Sequence, residues 1–374
     1  MNPSSRIAEL KRLGQSVWLD QIDRGLMRTG QLERLREMGV SGVTANPTIF
    51  AKALESSDAY APDIARRLDR GQDAESIVWD LLIEDVQAAA DVFRPTFDRE
   101  HGRDGFVSIE VSPEIAGDTE KTIEAARHLH RRVARPNVMV KIPATPSGLL
   151  AIETMISEGA NINVTLIFAV ERYVKVVEAF LAGLERLRES GGDLTRVKSV
   201  ASFFVSRVDT KVDERLNKKI AEADGARKPH LQKLLGKAAI ANSKLAYEMF
   251  SQLHSGPRWD RMRDAGASVQ RCLWASTSTK NPNYRDVMYV EDLIGPATVN
   301  TMPIPTLEAF NDHGRVALTL QKDLDGARQV LDELAANGID LAAITQELED
   351  EGVAGFAKSY RESIDHLSKV RTGR

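Results

Sequence analysis

The sequence predicts an α/β protein: a single (β/α)8 barrel with additional helices, including a C-terminal helical extension. Three observations carry this prediction. Eight short apolar runs alternate with helical stretches, at about 16–22, 42–48, 105–111, 137–142, 161–168, 197–205, 270–276 and 297–303. No linker or composition break divides residues 1–374, so one domain is expected, long for an average domain but within reach of a barrel with insertions. The third observation is that polar residues interrupt the runs at corresponding places toward their C-terminal halves: Asp20, Asn46, Glu110, Lys141, Asn163 with Thr165, Ser202 and Ser276. A doubly wound open sheet is the structural competitor. In a barrel, however, these polar positions converge on the C-terminal mouth, where active sites are built.

Taken in order, the chain starts with a short polar helix. A strand follows that includes Val17, Trp18 and Leu19, and then a helix over Leu26 to Met38 with Leu32, Leu35 and Met38 at helical spacing. The run Gly42 to Phe50 reads as the second strand, with Asn46 pushed toward an extended conformation by Pro47. Glu75 to Phe93 carries an apolar stripe suited to a helix, and Thr119 to Val133 reads as another, with Asp118 or Thr119 as N-cap. Helices are also expected over Ser147 to Glu158 and Glu171 to Arg188, the latter broken by Gly191-Gly192. A charged, helix-rich segment spans Thr210 to about Asp264, and a helical tail runs from Thr306 to His366. Either could cover the barrel mouth or make a subunit contact, and both monomer and homodimer stay open.

Composition narrows the function classes. The net charge of −4 argues against non-specific nucleic-acid binding but allows a local basic pocket for a phosphorylated small molecule. No uncharged apolar run approaches the ~20 residues that span a bilayer, and the start, MNPSSRIAELKRLG, lacks an apolar signal core, so a cytoplasmic protein without membrane association is expected. The single cysteine, Cys272, lies in the apolar run RCLWAS and reads as an inert core thiol. His128 and His130 fall on different sides of their helix, which argues against a shared metal. HExxH, GxGxxG, Walker and paired-cysteine motifs do not occur.

The chemistry centres on Lys141 in VMVKIPATPSG, a charge inside an apolar strand. It can snorkel to the rim with its head in water. Held instead at the end of an inner strand, it tends toward the neutral amine that condenses with a carbonyl to a Schiff base. Such chemistry also needs a carboxylate that moves a hydroxyl proton, a positioned water and donors that hold the substrate. Glu110 with Asn163 and Thr165 can supply the water site, and Asn46 and Ser202 the donors. Arg207 and Lys280, late on their runs, could clamp a phosphate. Asp209 and Asp213 read first as charge at a helix N-terminus and second as groups that orient Arg207. Trp18, Phe203, Phe204 and Trp274 are core aromatics, with Phe204 and Trp274 as pocket walls.

These segments resemble the transaldolase family. GVTANPTIF is similar to its second-strand motif, with Ala45 where a hydroxyl residue is usual, and VMVKIPATPSGLLA is similar to its lysine motif throughout. INVTLIF, SFFVSRVDTKVD and WASTSTKNP extend the resemblance over nearly the whole chain. It implies a class I Schiff-base transferase, without metal or organic cofactor, that moves a dihydroxyacetone unit between sugar phosphates. The donors would be sedoheptulose 7-phosphate or fructose 6-phosphate, the acceptors glyceraldehyde 3-phosphate or erythrose 4-phosphate. By the same resemblance Lys141 forms the Schiff base, Asp20 is the acid/base, and Glu110 with Thr165 holds the catalytic water. Asn46, Asn163 and Ser202 would bind the dihydroxyacetone part, and Arg207 the phosphate. Ser276 and Lys280 fall in a segment that aligns only approximately, with Lys280 where many members carry arginine. The alternatives are a fructose 6-phosphate aldolase, whose members carry tyrosine at the place of Phe204, and a barrel that binds a sugar phosphate without catalysis.

Overall fold

The computed structural model describes residues 5–56 and 58–372. Eight parallel strands close into a barrel in sequence order: β1 (Gln15–Leu19), β2 (Gly42–Val43), β3 (Val107–Glu110), β4 (Val138–Pro143), β5 (Ile162–Ile167), β6 (Ser199–Phe204), β7 (Arg271–Ala275) and β8 (Thr298–Met302). Closure is made by β1 against β8, in register from Gln15 opposite Thr298 to Leu19 opposite Met302. Each strand falls within or overlaps the run predicted for it. Buried on both faces, the strands read as near-continuous apolar segments, which is why periodicity of two was absent from the sequence.

Several boundaries differ from the sequence reading, each for a local reason. The second strand stops at Val43, and Pro47–Ser56 is a helix. Asn46 begins that helix by accepting a hydrogen bond from the Ile49 N–H (2.9 Å), with Pro47 in the first helical position, where its missing N–H costs nothing. At Gly42 an added Cβ would lie 2.6 Å from the Phe106 carbonyl oxygen and 2.7 Å from Trp18 Nε1, so β2 passes between β1 and β3 only without a side chain. The predicted helix over 26–38 is two helices, Arg24–Arg28 and Gln31–Met38, separated at Gly30 with φ +67°. The fourth-strand helix starts at Pro146 with Thr145 as its N-cap rather than at Ser147. The tail is three helices, Ile304–His313, Leu324–Ala336 and Leu341–Thr372.

The last of these helices covers part of the barrel mouth. It packs on Pro47–Ser56, Ala74–Arg99 and β5, along the C-terminal side of the barrel. β5 shifts register between Val164 and Ile167, where Leu166 takes φ +59°, and a Cβ on Gly352 would come within 2.9 Å of Leu166 Cδ2. The small residue lets the helix sit down on this irregularity. One turn further on, Phe356 reaches the barrel mouth. Among the described residues no helix is long and apolar enough to cross a membrane.

Candidate active site

The C-terminal mouth opens into a pocket of about 530 Å³ whose walls include Asp20, Asn46, Lys141, Thr165, Ser202, Phe204, Arg207, Ser276 and Lys280. Nine of the eleven residues singled out in the sequence therefore share one cavity; Glu110 and Asn163 lie just behind its wall. Strand register explains the grouping, because Lys141 on β4 pairs with Glu110 on β3 and with Asn163 on β5, at one level of the barrel.

Lys141 is 4% exposed. It is not alone among apolar groups, as its strand suggested. Its Nζ lies 3.1 Å from Glu110 Oε2 and donates to the Ala45 carbonyl at 3.2 Å. The contact from position 45 is thus made by the backbone, and alanine there removes no side-chain contact with the lysine. Phe356 places its ring centroid 5.9 Å from Nζ and closes the other side. Burial pushes the Glu110 carboxyl above its ordinary range, opposed by the positive charge of Lys141. Burial likewise raises Asp20, opposed first by Lys141 and next by a hydrogen bond from Thr44. Glu110 Oε1 and Thr165 Oγ1 are buried without a hydrogen-bond partner among the described residues, so both retain capacity for a polar occupant.

Three further groups are placed by their neighbours. Asn163 donates to Ser108 Oγ (3.0 Å) and accepts from Ser202 Oγ (2.7 Å), which fixes the orientation of its amide. Ser276 sits just past β7 with φ +57°, and its Oγ is 2.9 Å from Ser206 Oγ. Arg207 lies 5.5 Å from the Phe204 ring centroid, and that ring packs in turn on Phe168. No carboxylate is within ion-pair distance of Arg207 or Lys280 among the described residues, and Lys280 donates to Ser278 Oγ (2.8 Å). Burial lowers both cations, and for Lys280 the neighbouring charge of Arg207 adds to the effect. Two unpaired cations at one rim favour an anion between them.

Two sequence expectations are corrected. Asp209 stands in the first turn of the helix Ser206–Glu222, as its first reading has it, but neither it nor Asp213 orients Arg207. Asp209 accepts from Ala239 N and Tyr289 OH, and Asp213 from Gly236 N and Tyr284 OH, so the pair ties the segment around 236–239 to the stretch after β7. Trp274 is no pocket wall; it packs edge to face on Phe203 (6.2 Å, 82°) and lies outside the cavity. Sequence reasoning also missed residues. Thr44 donates to Asp20 Oδ1 (3.1 Å) and contacts Thr301 Oγ1 (2.8 Å), and Phe356 comes from the far end of the chain. For Thr44 the signal was present, a hydroxyl residue at the end of a strand in the same run as Asn46. For Phe356 there was none, since one aromatic on an amphipathic helix is indistinguishable from core.

An eight-stranded parallel barrel whose C-terminal mouth holds a buried lysine beside two carboxylates is the arrangement of a class I, Schiff-base aldolase. Residues 17–367 match the family model described as Transaldolase/Fructose-6-phosphate aldolase, and the chain belongs to that family. It is 46% identical over 367 residues to a transaldolase of Thermobifida fusca (strain YX), covering 98% of each chain. To a transaldolase of Acidothermus cellulolyticus (strain ATCC 43068 / DSM 8971 / 11B) it is 49% identical over 358 residues, 95% of this chain and 94% of the relative. A protein named Transaldolase 2 from a Nostoc species is 40% identical over 368 residues, 97% of each chain.

Proposed function

We propose that this protein is a transaldolase: a transferase that moves a dihydroxyacetone unit from sedoheptulose 7-phosphate or fructose 6-phosphate to an aldose phosphate through a Schiff base on Lys141. The observation that carries the reading is the buried Lys141 amine between Glu110 and the open pocket, with Asp20 in the same cavity.

In this reading the neutral Lys141 amine adds to the C2 ketone of the donor. Loss of water from the carbinolamine gives an iminium, and the leaving oxygen takes its proton from a water held by Glu110 and Thr165, whose buried oxygens have unused capacity. Asp20 removes the C4 hydroxyl proton, the C3–C4 bond breaks, and its electron pair flows into the iminium to give an enamine. The aldose phosphate leaves. The enamine carbon then attacks the aldehyde of the acceptor, Asp20 returns the proton to the new hydroxyl, and water hydrolyses the iminium. A carboxylate with a raised pKa suits this exchange, because it can hold the proton between the two half-reactions. Asn46, whose Oδ1 caps its helix, keeps its amide N–H groups for substrate; Asn163 and Ser202 hold the dihydroxyacetone hydroxyls, and Arg207, Ser276 and Lys280 the phosphate.

Retention of the enamine separates transfer from simple aldol cleavage, and the covered mouth supports transfer. Phe356 is buried over Lys141, and Phe204, rather than a hydroxyl-bearing ring, faces the pocket. Both keep water from the enamine. Incubation with fructose 6-phosphate, with and without erythrose 4-phosphate, tests the reading. Sedoheptulose 7-phosphate as the main product with acceptor present supports transfer, and free dihydroxyacetone as the main product refutes it. The same reading places the enzyme in the cytoplasm, where phosphorylated sugars reside; cell fractionation that recovers it outside the soluble fraction contradicts this.

A further inference from the structure

The opposite end of the barrel has a second depression, of about 400 Å³, built from the N-terminal ends of the strands and the loops that precede them. Its lining is net positive although the chain as a whole is acidic. Lys11, Arg103, Lys198 and Arg271 line it against Glu100 and Asp104.

Both carboxylates are already committed. Glu100 pairs with Lys11 at 2.6 Å. Asp104 accepts from Ser16 Oγ (2.6 Å), Trp18 Nε1 (2.9 Å) and Gly105 N (3.0 Å), which distributes its charge over three donors inside the barrel floor. The remaining cations feel carboxylates, Arg271 that of Asp104 and Lys198 that of Asp193, but form no direct ion pair among the described residues. Arg271, the first residue of β7, spends Nη2 on Ser16 Oγ (2.7 Å) and the Thr298 carbonyl, and its Nε and Nη1 have no hydrogen-bond partner among the described residues. The Lys198 ammonium donates only to the carbonyls of Thr195 and Val197 among the described residues. The Arg103 side chain makes no hydrogen bond or ion pair among the described residues; burial lowers the Lys198 ammonium's pKa, the charge of Asp193 opposes this, and that of Arg103 adds to it. Lys198 and Arg103 repel each other at the rim, and Arg271 keeps unused donors in the same depression, so an anion between them is favoured.

We propose that this N-terminal mouth is a binding site for a phosphate dianion, either inorganic phosphate or the phosphate of a small monoester, held by Arg271 from below and by Lys198 and Arg103 from the sides. The volume exceeds what a phosphate needs, so a short organic tail fits with it. A planar guanidinium with free donors is the group expected at the floor of such a site, and the two flexible cations complete it. The site is separate from the mouth that holds Lys141, Arg207 and Lys280, at the other end of the strands.

Calorimetric titration of the Arg207→Ala/Lys280→Ala variant with inorganic phosphate tests the proposal, because those substitutions weaken anion binding at the Lys141 mouth and leave the floor intact. One phosphate should bind per chain. Adding Lys198→Glu and Arg103→Glu, both away from the barrel interior, should weaken that binding at least about tenfold, the loss of a charge-assisted contact. In the otherwise native chain the same two reversals should leave transfer activity unchanged, which also shows that they fold. Glycerol 2-phosphate, which has no carbonyl for Lys141, separates the two sources: tighter binding than phosphate assigns the monoester, weaker binding assigns free phosphate. No binding in the Arg207→Ala/Lys280→Ala variant, or equal binding after charge reversal, overturns the site.

Discussion

Thr44 gives the sharpest test of how the proposed proton acceptor is tuned. Burial raises Asp20, and two effects oppose it: the charge of Lys141 and the hydrogen bond from Thr44 Oγ1 at 3.1 Å. Lys141 acts on Asp20 through its charge, which the iminium keeps, and Thr44 supplies the side-chain hydrogen bond to the carboxylate. Thr44→Val keeps the side-chain shape and removes the donor. A hydrogen bond to a charged group is worth roughly 1.5–3 kcal/mol, and the long distance here puts it at the lower end, about one pH unit. The sign follows from which form is stabilised. The hydroxyl favours the carboxylate, so its loss raises Asp20 further and moves the acidic limb to higher pH. The assay is release of glyceraldehyde 3-phosphate from fructose 6-phosphate in a single turnover without acceptor, which reads bond cleavage before any transfer to a second sugar. The limb should rise by about one unit with little change on the plateau. An unchanged limb, or one displaced to lower pH, refutes the account of Asp20.

Further outcomes are expected elsewhere. Phe356→Ala opens the space above Lys141 and should raise the ratio of free dihydroxyacetone to transferred product, with a stability loss of about 3 kcal/mol for a truncated buried phenylalanine; an unchanged ratio in a folded variant contradicts its role as a cover. His254, packed among Phe180, Phe250 and Trp259, is held neutral by burial down to about pH 4. Its folded pKa is below the ordinary 6.5, so its contribution is present above that value and is lost as pH falls toward 4. The loss is about 2 kcal/mol after discounting for partial exposure, and His254→Gln should flatten the dependence of urea-unfolding stability on pH across that window. An identical slope in both proteins would refute the assignment. Asp20→Ala should form the imine but cleave at least about 100-fold more slowly in the same single-turnover assay; normal cleavage removes Asp20 from its role.

Much of the barrel was legible because the strands are mostly apolar runs alternating with helical stretches, and because the polar residues that interrupt them recur toward their C-terminal halves. Lys141, Glu110 and Asn163 were readable as such interruptions, and register then explains why they meet. What the sequence concealed has physical reasons. Gly42 to Phe50 has the composition of one strand, but Asn46 and Pro47 are also a helix start, and the crossing past Trp18 leaves room for only two strand residues. The pairing of Asp209 and Asp213 with Tyr289 and Tyr284 joins residues far apart in the chain, so local spacing pointed instead to the nearby Arg207. Lys141 and Glu110 were both expected at the barrel mouth, but their direct pairing follows only from the register of β3 and β4.

The central claim is that Lys141 bonds covalently to the donor ketone. Borohydride added during incubation with fructose 6-phosphate reduces the intermediate to a stable secondary amine, and intact-mass spectrometry with peptide mapping locates it. The account predicts one three-carbon adduct per chain, on Lys141, and none in Lys141→Arg. No adduct in the native protein, or an equal adduct in the arginine variant, contradicts it.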